Sequence, residues 1–205
     1  MWTRSAFERV VLAAAAAAVM AGRSDALLVS LDRADIRRAL DLAQWPRTDQ
    51  DRARFHARYI VRIGSAPVQQ TSIDTIETIT EFRRMVLIAE EHARINDTFA
   101  RGGRIQEAEE ALRPYRGRLS VVAHVKFGPH VTAVPAIDLA FVDPNAPRAV
   151  DLRRAPIHAL DGTLIGADIE AIFTSASIGQ TTHIAAVRLG DAGLARTAID
   201  FRNLD

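Results

Sequence analysis

The stretch LSVVAHVKF, residues 119–127, decides the fold class of this chain, because its apolar residues recur at every second position. That period is typical of a β-strand that buries one of its two faces. From Leu31 to about Arg113 the apolar residues instead recur mostly at the three- and four-residue spacing of helices. The change of period predicts an α+β fold in which the helices come first along the chain.

Alternation in residues 137–141 and 165–173, together with the turn residues between segments, predicts five further strands up to the end of the chain. Turn residues separate them, among them Asp143-Pro144-Asn145 and Gly190-Asp191-Ala192-Gly193. The five strands are expected at residues 137–141, 150–158, 165–173, 182–189 and 194–201. The last two should form a hairpin. Six consecutive strands with short turns predict an antiparallel β-sandwich or open barrel over residues 117–205.

The helical region covers residues 27–116 and begins with two short helices whose first turns can be capped. Asp32 precedes the first helix, and Thr48 with Asp51 approximates a capping box for the second. Residues 59–63 are β-branched and aromatic, so they predict a possible short strand among the helices.

The longest predicted element is one central helix over about residues 72–98. Its isoleucines Ile73, Ile76 and Ile79 recur at helical spacing. The segment MVLIA, residues 85–89, is apolar on every side, which is typical of a helix surrounded by protein. We therefore expect the helical and β regions to pack together as one unit.

The first 26 residues, 1–26, are typical of a cleavable signal peptide. Arg4 and Arg9 give a positive start, and the apolar run of 12 residues that follows is too short to span a bilayer. Small residues allow cleavage after Ala21 or Ala26, and we favour Ala26. No membrane span is expected after cleavage. The sequence therefore predicts a periplasmic or extracellular protein.

Composition excludes several classes of function. The chain contains no cysteine, so disulfides, thiolate nucleophiles and cysteine metal sites are excluded. Of its 26 basic and 25 acidic residues the leader holds three and two, so the remainder is neutral. A neutral protein has no overall field that attracts nucleic acid, and we expect no such partner. All basic residues except Lys126 are arginines, a bias that with the abundant alanine indicates a bacterial genome.

The densest group of ionisable residues is Glu90, Glu91 and His92 on the expected central helix. Such groups beside a buried apolar turn are costly unless they are paired or used in chemistry. They could act as a general acid and base or, with His124 and His130 from the β region, as metal ligands. An internal ladder of ion pairs explains the same residues. No nucleotide, serine-hydrolase or H-E-x-x-H motif occurs, so no cofactor is expected.

One local cluster of basic residues, which includes Arg52, Arg54 and Arg58, has aromatic residues interleaved. That composition is typical of a surface that binds an anionic ligand or partner. Asp49 and Asp51 lie among the arginines, so a self-paired helix face is the alternative.

These patterns favour an exported, non-catalytic binding or interaction module whose ligand is a protein, a glycan or a small molecule. The alternative is an exported metal-assisted hydrolase that uses Glu90, Glu91 and His92 with a histidine of the β region. A structural protein of the cell envelope is a third interpretation. The sequence leaves the oligomeric state open.

Overall fold

The computed structural model describes residues 30–43, 48–95 and 105–204. Five helices lie in these residues: α1 (Arg33–Ala43), α2 (Asp49–Ala57), α3 (Glu81–Arg94), α4 (Ile105–Leu112) and α5 (Ser175–Ile178). Eight strands accompany them: β1 (Ile60–Arg62), β2 (Thr71–Ile79), β3 (Arg118–Phe127), β4 (Ile137–Phe141), β5 (Asp151–His158), β6 (Leu164–Thr174), β7 (Thr182–Leu189) and β8 (Ala192–Asp200). Two short 3-10 helices, Arg113–Tyr115 and Phe201–Asn203, precede β3 and follow β8.

The strands of the described residues form two antiparallel sheets. The larger sheet has the order β1-β2-β3-β6-β5, and the smaller has the order β4-β7-β8. The α+β class predicted from the sequence is confirmed. The six strands expected after residue 117 form within two residues of their predicted ends, and β7 pairs with β8 as the predicted hairpin. They divide between the two sheets, however, and the larger sheet also takes β1 and β2 from the helical region.

The predicted long central helix is wrong in its first part, because Thr71–Ile79 forms the strand β2. The pairing register of β2 with β3 shifts between Ile73 and Thr75, which marks a β-bulge. Ile73 and Ile76 are therefore both buried although they are three residues apart, a spacing that imitates a helix. The helix α3 begins only at Glu81 and is 14 residues long.

Side-chain caps fix the starts of three helices, two of them as the sequence predicts. Asp32 and Thr48 each accept a hydrogen bond from the backbone N–H three residues later, at 2.8 and 3.1 Å. Thr80, between β2 and α3, accepts one from the N–H of Arg83 at 3.1 Å. The chain therefore passes from β2 directly into α3, and the first turn of α3 lies beside the larger sheet.

One continuous hydrophobic core contains buried side chains from the helices and from both sheets. Ile36 of α1 and Phe82 of α3 are fully buried members of it. Phe141 of β4 and Phe173 of β6 have ring centroids 4.6 Å apart and connect the smaller sheet to the larger one. The core therefore combines residues from both the helical and the β regions of the sequence.

One face of the larger sheet contributes to this core, and the other face carries most of its polar side chains. Opposed residues form three neighbouring rows across β2, β3 and β6 on that second face. The rows are Ile79–Ser120–Ile172, Glu77–Val122–Glu170 and Thr75–His124–Asp168. We call this surface the charged face.

Among the described helices none is long and apolar enough to cross a membrane. The predicted leader, residues 1–26, lies outside the described residues. Residues 96–98, the expected end of the central helix, also lie outside them.

Candidate functional site

His124 lies at the centre of a network of charged side chains on the charged face. Its ring Nδ1 is 2.7 Å from Asp168 Oδ1, and its Nε2 is 2.8 Å from Glu77 Oε2. The hydrogen bonds to Glu77 and Asp168, together with their charges, raise the pKa of His124 above its ordinary value, although burial lowers it. A histidine that donates from both ring nitrogens is an imidazolium ion. It has no lone pair with which to accept a proton from a substrate.

Arg83 supplies the second positive charge of this network. Its side chain is only 2% exposed, and it forms an ion pair with Glu77 and donates to the carbonyl oxygen of Thr78 at 2.5 Å. Burial alone raises the pKa of Glu77, but the hydrogen bond from His124 and the charge of Arg83 outweigh it and lower the pKa. Burial lowers the pKa of Arg83, which remains a cation because a guanidinium does not lose its proton in proteins. Two cations thus balance the carboxylates of Glu77 and Asp168.

His56 extends the network from Arg83 to Glu90. Arg83 Nε donates to His56 Nδ1 at 3.4 Å, so Nε2 of His56 carries the proton that it donates to Glu90 Oε2 at 2.9 Å. The second oxygen of Glu90, Oε1, is buried without a hydrogen-bond partner in the described part of the chain. The contacts run from β6 through β3 and β2 to α2 and α3, so the network ties sheet and helices together.

The catalytic candidates of the sequence, Glu90, Glu91 and His92, all lie on α3, but the two glutamates bond to different residues. Glu90 bonds to His56, whereas Glu91 is exposed and forms an ion pair with Arg94 at 2.9 Å. His92 is half-buried near the end of the helix. The pair of Glu91 with Arg94 is exposed and is therefore not part of an internal ladder, while the bond of Glu90 to His56 joins α3 to α2.

The metal candidates His92, His124 and His130 lie at separate places in the fold. Both ring nitrogens of His124 are taken by carboxylates. His130 lies in the exposed turn after β3, where its backbone N–H donates to Gln70 Oε1 at 3.4 Å. Over the described ranges, no three histidine or acidic side chains are grouped so that they could hold a metal ion.

The basic cluster predicted from the sequence, Arg52, Arg54 and Arg58, lies on and just after α2. Arg52 and Arg54 each form an ion pair with an aspartate three residues earlier on the same helix, at 2.8 and 3.8 Å. The guanidinium of Arg58 lies 5.1 Å from the centre of the Phe55 ring. These contacts are those of a self-paired helix face, and such surface pairs contribute little to stability.

A different group of arginines surrounds a small cleft over the charged face. We call it the arginine cleft, after Arg84 of α3, Arg118 of β3 and Arg153 of β5, which line it. Its volume is about 140 Å³, and its other lining residues are Ile79, Thr80, Tyr115, Ser120, Glu170 and Ile172. The sheet row Ile79–Ser120–Ile172 forms its floor. Three cationic side chains from three different elements therefore meet above an apolar and hydroxyl-bearing surface.

Arg84 and Glu170 are partners in this cleft. Arg84 Nη2 lies 3.4 Å from Glu170 Oε1 and 3.4 Å from Ser120 Oγ. Its guanidinium also lies 4.7 Å from the centre of the Tyr115 ring, a cation–π distance. Glu170 balances the charge of Arg84. Both hydrogen bonds are long, however, so they hold the Arg84 side chain only weakly.

Arg118 differs from the other two arginines of the cleft because it has no counter-charge among the described residues. Arg153 Nε donates to Asp151 Oδ2 at 2.8 Å, a bond that raises the pKa of Arg153. Arg118 is exposed, and its side chain makes no hydrogen bond or ion pair with any described residue. Since Glu170 balances Arg84 and Asp151 balances Arg153, the cleft holds one uncompensated positive charge.

Local sequence patterns contain only part of the signal for this site. The alternation in β3 places Ser120 and His124 on one face, and that in β6 places Asp168 and Glu170 on one face. The pairing of β3 with β6 brings these faces together, and no local spacing reveals that pairing. Arg84 and Arg153 are 69 residues apart, so only the folded chain identifies them as neighbours.

Comparison with protein-family models, with curated proteins and with solved structures gives no match to this chain.

Proposed function

We propose that this protein is a non-catalytic binding module that takes a small anionic ligand in the arginine cleft. The observation that carries the proposal is the uncompensated guanidinium of Arg118 beside Arg84 and Arg153. Guanidinium groups bind carboxylates and phosphates through charge-assisted hydrogen bonds in a planar fork. An unpaired cation in a concave site, next to a buried hydroxyl, has the chemistry of such a receptor.

The arrangement of the cleft supports binding because its walls are set by rigid elements. Ser120 and Ile172 lie on neighbouring central strands of the larger sheet, and Thr80 caps the helix that carries Arg84. A site that is already formed loses less conformational entropy when a ligand binds. The charged face therefore presents its arginines without first having to fold around a ligand.

The histidine network supports binding rather than acid–base catalysis. Both ring nitrogens of His124 lie within 2.8 Å of a carboxylate oxygen, one of Glu77 and one of Asp168, and an ionised carboxylate only accepts hydrogen bonds. A general base must have a free lone pair within reach of the substrate proton. Two of the three candidate groups of the metal-assisted hydrolase are held by other residues, because Glu90 bonds to His56 and Glu91 pairs with Arg94.

The proposal includes the location and the architecture expected from the sequence. We propose that residues 1–26 export the chain to the periplasm or the extracellular space, where the module meets its ligand. We also propose that the two sheets act as a β-sandwich through contacts such as Phe141 with Phe173, and that the helical and β regions form one unit. Export can be tested by identifying the cleavage site, and the sandwich can be tested by measuring the energetic coupling of the two sheets.

Titration calorimetry of the purified chain with acetate, benzoate, phosphate and sulfate tests the binding function. The test compares the wild-type chain with Arg118→Gln and with the matched control Arg196→Gln. Arg196 is an exposed arginine of β8 that also lacks a partner in the described residues and lies outside the cleft. At least one anion should bind wild type and Arg196→Gln alike and bind Arg118→Gln more weakly. Absence of binding by every anion, or equal binding by Arg118→Gln, would overturn the proposal.

A further inference from the structure

Resting on the proposed function, we infer that the ligand of the arginine cleft is a monocarboxylate with a compact apolar body. Three properties of the cleft carry this inference: the number of uncompensated charges, the polar groups that face the ligand, and the apolar floor beneath it. Each property favours some of the anions that an arginine-lined site could bind over the others.

The charge of the cleft matches a single negative charge. Arg84 is balanced by Glu170 at 3.4 Å and Arg153 by Asp151 at 2.8 Å, which leaves Arg118. A carboxylate carries one charge, and its two oxygens match the planar fork of a guanidinium. A phosphate group carries about −1.5 to −2 at neutral pH. It would need a second uncompensated cation and would meet the carboxylate of Glu170 inside the cleft.

Ser120 supplies a second donor for the same carboxylate. Arg118 and Ser120 are two residues apart on β3 and therefore lie on the same face of the sheet. Ser120 is only 5% exposed, and the hydrogen bond that its side chain makes among the described residues is the long one that it accepts from Arg84. Its hydroxyl proton has no acceptor among those residues, so it can donate to an oxygen that Arg118 holds.

The apolar floor of the cleft favours an apolar group at the end of the ligand opposite its carboxylate. Ile79 and Ile172 flank Ser120 in its row of the sheet, and Tyr115 lines the same cleft. Ile172 is already almost fully buried, so the apolar surface that a ligand can cover belongs mainly to Ile79 and Tyr115. Covering that surface favours a ligand with an apolar body over a hydrated inorganic ion. The volume of about 140 Å³ limits that body to a compact group, such as a short branched chain or a single ring.

Calorimetry with three probes tests the ligand class: benzoate, its neutral isostere benzamide, and inorganic phosphate. We expect benzoate to bind the wild-type chain, and benzamide and phosphate to bind much more weakly. Arg118→Gln should weaken benzoate binding by about ten-fold or more, since it removes a charge-assisted hydrogen bond. Ser120→Ala should weaken it less, and Arg196→Gln should leave it unchanged.

The outcomes separate this inference from the proposed function. If phosphate binds more tightly than benzoate in a manner that Arg118→Gln abolishes, the ligand class is wrong while the anion site stands. If no probe binds, the inference is wrong, and the proposed function is wrong as well when acetate and sulfate also fail to bind. If Arg118→Gln binds benzoate as the wild type does, both are wrong. Equal binding of benzamide and benzoate would also overturn the inference, because the carboxylate would then contribute nothing.

Glu170→Gln tests the charge count directly. The substitution keeps the shape of the side chain and leaves Arg84 without its counter-charge, so the cleft gains a second uncompensated cation. The affinity for phosphate relative to benzoate should then rise by about ten-fold or more. An unchanged ratio in a variant that melts like the wild type would contradict the assignment of a single-charge site.

Discussion

Arg83 and Arg84 are consecutive in the first turn of α3, yet they bond to different carboxylates on the charged face. Arg83 pairs with Glu77 and Arg84 pairs with Glu170, and these two glutamates flank Val122 in one row of the sheet. Arg83 is buried, and its pair belongs to the network around His124. Arg84 is half-buried and lines the arginine cleft. One helical turn therefore serves both the stability of the fold and the proposed ligand site.

The buried pair of Arg83 with Glu77 should contribute far more to stability than the half-buried pair of Arg84 with Glu170. Arg83→Met removes one of the two cationic partners of Glu77, which keeps its hydrogen bond with His124, so the cost should be about 3 kcal/mol, the lower end of the range for breaking a buried pair. Arg84→Met, the matched control one residue away, should cost less than about 1 kcal/mol. Urea unfolding of both variants measures the difference. Equal costs would contradict the division of this turn into a structural and a ligand-binding residue.

The network should also make stability depend on pH. The folded protein raises the pKa of His124 above its ordinary 6.5, so this contribution is full below that value and is lost as pH rises through the folded pKa. The folded protein lowers the pKa of Glu77 below its ordinary 4.5, so its contribution is full above that value and is lost as pH falls. Stability should therefore be greatest between these two values and decline at higher pH.

Urea midpoints measured from about pH 5 to about pH 9 test this dependence. The His124→Gln variant lacks the titrating ring. The part of the loss of stability at alkaline pH that His124 causes should therefore be absent from this variant. The control His130→Gln replaces an exposed histidine of a turn and should follow the wild type. A decline that persists unchanged in His124→Gln would mean that the ring is not held as an imidazolium ion.

The two sheets should be coupled energetically through Phe141 and Phe173. Their ring centroids are 4.6 Å apart, and aromatic pairs of this kind contribute about 0.5–1.5 kcal/mol beyond their buried area. A double-mutant cycle with Phe141→Leu and Phe173→Leu measures that coupling from unfolding free energies.

The unfolding curves should show one cooperative transition if the helical and β regions form one unit. Additive effects and two separate transitions would contradict the proposed sandwich.

Export can be tested on the chain itself. Expressed in a bacterial host, the protein should be recovered from the periplasm or the medium with Leu27 as its first residue. Mass spectrometry of the intact chain identifies that end. A product that begins at Gly22 would move the cleavage site to Ala21, which keeps export. Retention of the chain in the cytoplasm with residues 1–26 still attached would contradict export.

The β region could be predicted well from the sequence because several of its strands alternate and turn residues separate them, whereas β5 is almost wholly exposed and could be placed only by the turns around it. The prediction failed at β2 because the bulge at residues 73–75 spaces Ile73 and Ile76 as a helix would. The arginine cleft could not be assembled from the sequence either. Arg84 and Arg153 become neighbours only through the order β2-β3-β6-β5, and strand order is a non-local property that periodicity does not contain.

The most direct test of the anion site is a nuclear magnetic resonance titration of the isotope-labelled chain with benzoate. The largest shifts of backbone amide signals should occur at Arg118, Ser120 and Ile172, and the signal of Arg196 should not move. Shifts that concentrate on α2, around Arg52 and Arg54, would place anion binding in the basic cluster instead. That result, or the absence of any shift, would contradict the assignment of the arginine cleft as the ligand site.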